Sequence, residues 1–364
     1  MEDEKKYWVA LSTHSKIGAR TFSKLYKRFK KLAKVWQASS HELAKAGLDL
    51  GQIEAVKEVV AKKEPEKEWQ KLQKYQIEVL IYPDKDYPSL LRELPDPPGI
   101  LYVRGKILPE DELAVAVVGS RKYTAYGEKA VSELVYPLVQ KKLTIVSGLA
   151  LGIDTLAHRA ALAVGGRTLA ILGCGLDQIY PVFNTRLADQ ILSGQGAIIS
   201  EFPLGTPALK YNFPVRNRII AGMSLGTLVV EAAADSGSLL TATSAIEYNR
   251  EVFAVPGSIF SETSAGTNRL IKMGAKMVTS ASDILEELKI ETVKKPFQGL
   301  IKPDSHEEEI LLKLLRQPIF VDLLVKKSGL ETAMVNSLLI QMEMKGKVLN
   351  LGASQYVING KMEN

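Results

Sequence analysis

From residue 114 onward, short unbroken apolar runs alternate with amphipathic stretches of helical length. The runs are "AVAVV", "LTIV", "TLAIL", "AIIS", "TLVV" and "VFAV". Runs that are apolar on both faces, spaced by helices, predict a parallel sheet covered on both sides. Each run ends in small or turn-forming residues: Gly119-Ser120, Ser147-Gly148, Gly173-Cys174-Gly175, Ser200-Glu201, Glu231-Ala232 and Pro256-Gly257. In a doubly wound sheet the ligand crevice lies beyond those carboxyl ends. Upstream the period changes to that of a helix. Phe22, Leu25, Phe29, Leu32 and Trp36 recur at steps of three and four, with Lys24, Lys27, Arg28, Lys30, Lys31 and Lys34 between them, which predicts one basic amphipathic helix. Gly18, in "SKIGAR", stands where two short helices would join, as in helix-hairpin-helix modules. "YPDKDYPSLLRELPDPPGILYVRG" is dense in proline and reads as an extended connector. After the linker "KIETVKKPFQGLIKPDSHEEE", three helical segments and a hairpin-like end have the order of a winged helix. The expected domains are a helical one over 1–80, an α/β one over 81–290, a linker over 291–304 and a winged helix over 305–364.

Composition narrows the class. With 364 residues, 46% hydrophobic and 24% charged, and no apolar run long enough to span a bilayer, the chain reads as a globular protein of more than one domain with no membrane partner. "MEDEKKYW" shows no secretory signal, so the cytoplasm is the expected location. Cys174 is the single cysteine, and the four histidines are scattered; neither a disulfide nor a metal site is expected. The net charge of +6 is unevenly spread, because residues 5–41 hold ten Lys and Arg and no acid. That points to a polyanionic partner. Residues 298–364 hold eight cations against eight acids, which argues against phosphate binding by the last domain and for a protein-contact or dimer-supporting role.

The stretch "KYNFPVRNRIIAGMSLGTLVVEA", residues 210–232, sets Lys210, Arg216 and Arg218 around Phe213 just before a strand. In "VVGSRKYTAYG", Gly119 admits close approach, Ser120 offers a hydroxyl, Arg121 offers a charged fork, and the amides opening the next helix suit an anion. "IVSGLALGID" repeats the arrangement with Ser147, Gly148 and Gly152. Asp154 and His158, four apart, fit helix capping or packing better than acid–base work, since no nucleophile or metal partner is evident. "GCGLDQ" lacks the third glycine of a dinucleotide fingerprint and no Walker A sequence appears, so no cofactor is expected. Glu231 resembles the glutamate of the cytokinin-activating phosphoribohydrolases, whose pattern is P-G-G-x-G-T-x-x-E. Here one extra residue follows Gly226-Thr227, which turns the side chain to the opposite face of a strand.

Read together, "YPSLLRELPDPPGILYVRG", "VVGSRKYTAYG", "IVSGLALGIDTLAH", "LGCGLDQIYPVFN", "SEFPLG", "FPVRNRIIAGMS", "VVEAAADSGSLLTA" and "VPGS" resemble the DNA-processing proteins called DprA or Smf over nearly the whole chain. The resemblance implies an extended Rossmann-like domain that binds single-stranded DNA, homodimerises and helps load the RecA recombinase in natural transformation. It also implies an N-terminal helical domain, of the SAM or helix-hairpin-helix kind, and a C-terminal winged helix. The implied DNA pocket falls on Gly119, Ser120 and Arg121, on Ser147 and Gly148, and on Lys210, Phe213, Arg216, Asn217 and Arg218. Its implied role is non-enzymatic. The rival is a nucleotide-hydrolysing enzyme that uses Glu231 and Arg218 in the same crevice.

Overall fold

The computed structural model describes residues 2–194, 196–290, 300–345, 347–352, 355–359 and 361–362. The chain forms two compact units, Met1–Ile290 and Glu291–Asn364. Of the expected linker, residues 291–299 lie outside the described residues. Among the described residues no helix is long and apolar enough to cross a membrane.

The first unit opens with helices α1 (Glu2–Ser12), α2 (Ala19–Phe29), α3 (Ser40–Lys45), α4 (Leu50–Lys62) and α5 (Pro65–Lys74). The single basic helix expected through Trp36 is two pieces: α2 stops at Phe29, and a 3₁₀ turn covers Leu32–Gln37. The break falls at Lys30, which adopts φ +60° while its N–H still makes the last helical bond, to the Tyr26 carbonyl (2.9 Å). The Leu32 amide then donates to the Glu4 carboxylate of α1. The apolar positions still point inward, with Phe22, Leu25, Leu32 and Val35 all buried. Gly18 does join α1 to α2, as the residue before the second helix.

Strand β1 (Glu78–Ile81), helix α6 (Ser89–Arg92) and strand β2 (Ile100–Gly105) follow. The proline-dense stretch is thus more than a connector, because its tail "ILYVRG" escapes the prolines and pairs antiparallel with both β1 and the strand Ala197–Ser200. The boundary drawn at residue 80 falls inside β1. The N-terminal helices and this edge share one core, in which Trp8, Leu11 and Phe22 pack with Tyr102 and Ile198.

The α/β succession is β3 (Ala114–Val118), α7 (Ala125–Gln140), β4 (Thr144–Ser147), α8 (Ile153–Ala163), β5 (Thr168–Ile171), α9 (Thr185–Ser193), β6 (Ala197–Ser200), α10 (Asn212–Gly222), β7 (Gly226–Val229), α11 (Ser238–Glu247), β8 (Glu251–Ala254), α12 (Ala265–Lys272), β9 (Lys276–Met277) and α13 (Ala281–Glu287). The nine strands lie in the order β1-β2-β6-β5-β4-β3-β7-β8-β9, parallel from β6 to β9. Strand alternation divides β3 between two cores. Val115 and Val117 meet α7, α8 and α13, whereas Ala114, Ala116 and Val118 meet α10, α11 and α12.

The second unit contains β10 (Leu300–Ile301), α14 (His306–Leu314), β11 (Ile319–Phe320), α15 (Val321–Ser328), α16 (Thr332–Met344), β12 (Val348–Gly352), β13 (Gln355–Ile358) and β14 (Lys361–Met362). Strands β11, β13 and β12 form an antiparallel sheet beside three helices, around a core of Leu311, Leu315, Leu324, Leu339 and Val348. This is the expected winged helix.

Candidate nucleic-acid interface

From β3 the chain winds outward through β4 and β5 to β6, then recrosses the sheet through α10 to begin β7 on the other side of β3. The loops leaving the neighbours β3 and β7 therefore diverge, and a crevice opens between them. A cleft of about 590 Å³ occupies that place. Its walls come from Gly119 to Lys122 after β3, from Ala233 to Ser238 after β7, and from Lys210, Phe213, Pro214, Arg216 and Asn217 of α10 and its approach.

Both glycine turns were expected to hold anions, and both already hold one from the chain itself. After β3, the Thr124 amide (2.9 Å) and hydroxyl (2.6 Å) donate to the Glu231 carboxylate, which also accepts from the Thr263 hydroxyl (3.2 Å). After β4, the Gly148 amide (3.0 Å) and Ala150 amide (3.4 Å) donate to Asp154 Oδ2. Burial raises the Asp154 pKa against the pull of Arg216. A phosphate cannot enter either seat without displacing a carboxylate. Asp154 thus has the packing role expected of it. His158 is buried as well, with Nδ1 2.7 Å from the Thr168 hydroxyl.

The ten expected site residues divide accordingly. Gly119, Ser120, Arg121, Lys210, Phe213, Arg216 and Asn217 line the cleft. Gly148 lines only a smaller recess of about 50 Å³ beside it. Ser147 is fully buried and donates its hydroxyl to the Val117 carbonyl (2.7 Å). Ser120 faces the cleft, but its hydroxyl donates to the Lys122 carbonyl (2.7 Å) and accepts the Lys122 amide (3.0 Å). Arg218 is on neither lining: it pairs with Glu201 and donates to the Asp96 carbonyl (2.9 Å). Arg216 and Asn217 face the cleft, and the helical turn carries the next position, Arg218, away from it.

The cations that remain are of two kinds. Arg121, Lys122 and Lys210 are exposed. Arg216 is buried at the cleft floor, where it donates to the carbonyls of Gly148 and Ile171. Burial pulls its pKa below the usual arginine value, Asp154 opposes the fall, and Arg121 adds to it. Phe213 stands at the centre of these groups. The Arg121 guanidinium lies 5.6 Å from its ring centroid and that of Arg216 5.8 Å, while Tyr180 stacks at 5.7 Å and 27°. Asn212 fixes the start of α10 by donating to the carbonyls of Gly173 (3.0 Å) and Pro207 (3.1 Å).

Sequence reasoning missed Lys122, Tyr180 and the wall Ser236, Gly237, Ser238 and Thr241. Ser236 to Ser238 lead into α11, whose first turn carries no acid and whose start has no side-chain cap. Lys122 was signalled by its place beside Arg121. The run "DSGSLLTA" signalled the wall through its small polar residues before a helix. Nothing in "QIYPVFN" marks Tyr180 as a partner of Phe213, since 33 residues separate them in the sequence.

The profile of the family DNA recombination-mediator protein A matches residues 78–289, and that of the DprA winged helix domain matches 295–353. The chain is 42% identical to Protein Smf of Escherichia coli over 268 residues, covering 71% of this chain and 72% of that one. The X-ray structure of DNA processing protein A from Streptococcus pneumoniae matches with a TM-score of 0.62 and 38% identity, over 74% of this chain and 97% of that one. DNA processing protein A from Helicobacter pylori, whose structure is described in terms of a unique single-stranded DNA binding mode, matches with a TM-score of 0.53 and 31% identity. That match covers 59% of this chain and 96% of that one.

Proposed function

The chain belongs to the DNA recombination-mediator protein A family, and on that footing we propose that it binds single-stranded DNA in the cleft between β3 and β7. The observation that carries this reading is the ring of Phe213 set among Arg121, Lys210 and Arg216 at the mouth of the crevice. Single-strand binding without strong sequence choice uses this pair of chemistries, cations for phosphates and a ring for an unstacked base. Since Glu231 and Asp154 fill the amide seats, the phosphates go to the exposed cations Arg121, Lys122 and Lys210. A base reaches Phe213 by displacing Tyr180 or Arg121, both of which lie on loops; Arg216 is fixed by two carbonyls and stays as the floor.

The wider role is that of a non-enzymatic, cytoplasmic, homodimeric mediator that protects incoming single strands and loads the RecA recombinase during natural transformation. Non-enzymatic action fits the position of Glu231, which is bonded to Thr124 and Thr263 and absent from the cleft lining. The test is fluorescence anisotropy with an oligothymidylate and a duplex of equal length at one salt concentration. A clear preference for the single strand is expected, because a ring stacks only on a base free of its partner. Equal affinities would overturn the reading.

A further inference from the structure

A second groove, of about 310 Å³, lies in the same compact unit between α2 and residues 94–99. Aromatic residues Trp8, Phe22, Tyr26 and Tyr82 line it, with Pro95 and Pro97 opposite and Lys27 and Lys30 at its edge. Trp8 is 1% exposed and stacks on Phe22 at 5.1 Å and 6°, and its indole N–H has no acceptor. Lys30 holds its ammonium 5.6 Å from the Tyr26 ring centroid. Lys27, Lys30, Lys31 and Lys34 are all exposed, and none has a carboxylate within ion-pairing distance among the described residues. Around α4 and α5, by contrast, Lys62, Lys63, Lys67 and Lys71 are each paired with a glutamate, although Lys57 and Lys74 are exposed. A solvated helix face is usually laced with such pairs, and these four lysines, from the end of α2 through the 3₁₀ turn after it, carry none among the described residues.

We infer that this groove is a second contact for single-stranded DNA, made by strands long enough to extend beyond the central cleft. Phosphates would lie along Lys27, Lys30, Lys31 and Lys34, and a base would enter between Tyr26 and Tyr82. The two sites share a structural joint. Asp96, between the groove prolines, takes the Arg20 guanidinium on its carboxylate (2.8 Å), while its carbonyl accepts from Arg218 (2.9 Å) on the helix that carries Phe213. An acidic peptide would satisfy the lysines but not the aromatic walls. The inference rests on the cleft reading.

The experiment compares full-length wild type, Lys27→Gln/Lys30→Gln and Lys210→Ala on a short and a long oligothymidylate, of about 8 and about 40 nucleotides. The double variant should bind the long strand about tenfold more weakly. It should lower the slope of log affinity against log salt by about 1.4 on that strand, two lost cations at about 0.7 each, and leave the short strand unchanged. Lys210→Ala should weaken both lengths. An unchanged double variant, or an equal loss on both lengths, would overturn the groove assignment. So would loss of binding to phosphatidylglycerol vesicles with strand affinity intact, which would assign the lysines to a membrane surface. If Lys210→Ala changed neither length, the cleft reading would fall, while a loss confined to the long strand in the double variant would still place the groove on the path of the DNA.

Discussion

Lys210 and Arg216 carry the same charge beside the same cleft and should fail in different ways when removed. Lys210 is exposed, so Lys210→Ala should lower the salt slope for a single strand by about 0.7 and leave the melting temperature unchanged. Arg216 is buried and holds two carbonyls, so Arg216→Met should cost about 3 to 5 kcal/mol in denaturant unfolding, the usual result of breaking a buried charge network. A fully stable Arg216→Met that merely bound DNA less well would show that the arginine faces ligand instead. The sequence shows the charges and their spacing but not which are in solvent, because that is decided by neighbours far along the chain. His158 supplies a pH test. The Thr168 hydroxyl donates to the Ile145 carbonyl (2.7 Å), so His158 Nδ1 must donate to Thr168, leaving Nε2 bare and buried. Burial and the nearby Arg216 push the His158 pKa down to about 3. The unfolded chain takes up this proton near pH 6.5 and the folded one does not, so stability is full above that value and falls as pH drops toward 3. His158→Asn, whose amide replaces the Nδ1 donor, should flatten the decline by up to about 2 to 3 kcal/mol at pH 4.5. Equal slopes for the two proteins in urea titrations would contradict this.

Among the elements, the strands of the central sheet were the most legible. An uninterrupted apolar run has few alternatives once both faces are buried, and each of the six runs named in the sequence coincides with a strand to within a residue. The turns after them were legible as positions but not as chemistry. Their glycines announce close approach, whereas the carboxylates that fill the amide seats come from Glu231, more than a hundred residues downstream, and from Asp154. The break at Lys30 was hidden for a similar reason: the apolar spacing continues through it, and what stops the helix is the distant Glu4. Gly152 tests the packing of these turns. It has φ +85°, and an added Cβ would lie 2.1 Å from the Ser120 carbonyl oxygen. Gly152→Ala should therefore cost at least about 1 to 3 kcal/mol and weaken DNA binding as well, because the displaced loop carries Arg121. A variant with wild-type stability would show that the loop has room to adjust.

At the scale of the whole molecule, the cations of the cleft and the groove belong to the first unit, whereas residues 298–364 hold as many acids as cations. Helix α16, "TAMVNSLLIQMEM", has no lysine or arginine. Lys345 and Lys347, which follow it, are tied to Asp304 and Glu308 at 2.6 to 2.8 Å. A chain ending at Ile290 should keep its single-strand affinity at matched salt, since its cores are complete without the second unit. A tenfold loss, about 1.4 kcal/mol, would give the winged helix a direct part in binding. The even charge balance of residues 298–364 already pointed this way, whereas the merging of the N-terminal helices with the sheet through Trp8 and Tyr102 has no sequence signal. The most direct measurement is a crystal structure with a short oligothymidylate soaked in. Phosphates against Arg121 and Lys210, with a base on Phe213 where Tyr180 or Arg121 now lies, are the predicted result; an empty cleft with the strand ordered elsewhere on the protein would contradict it.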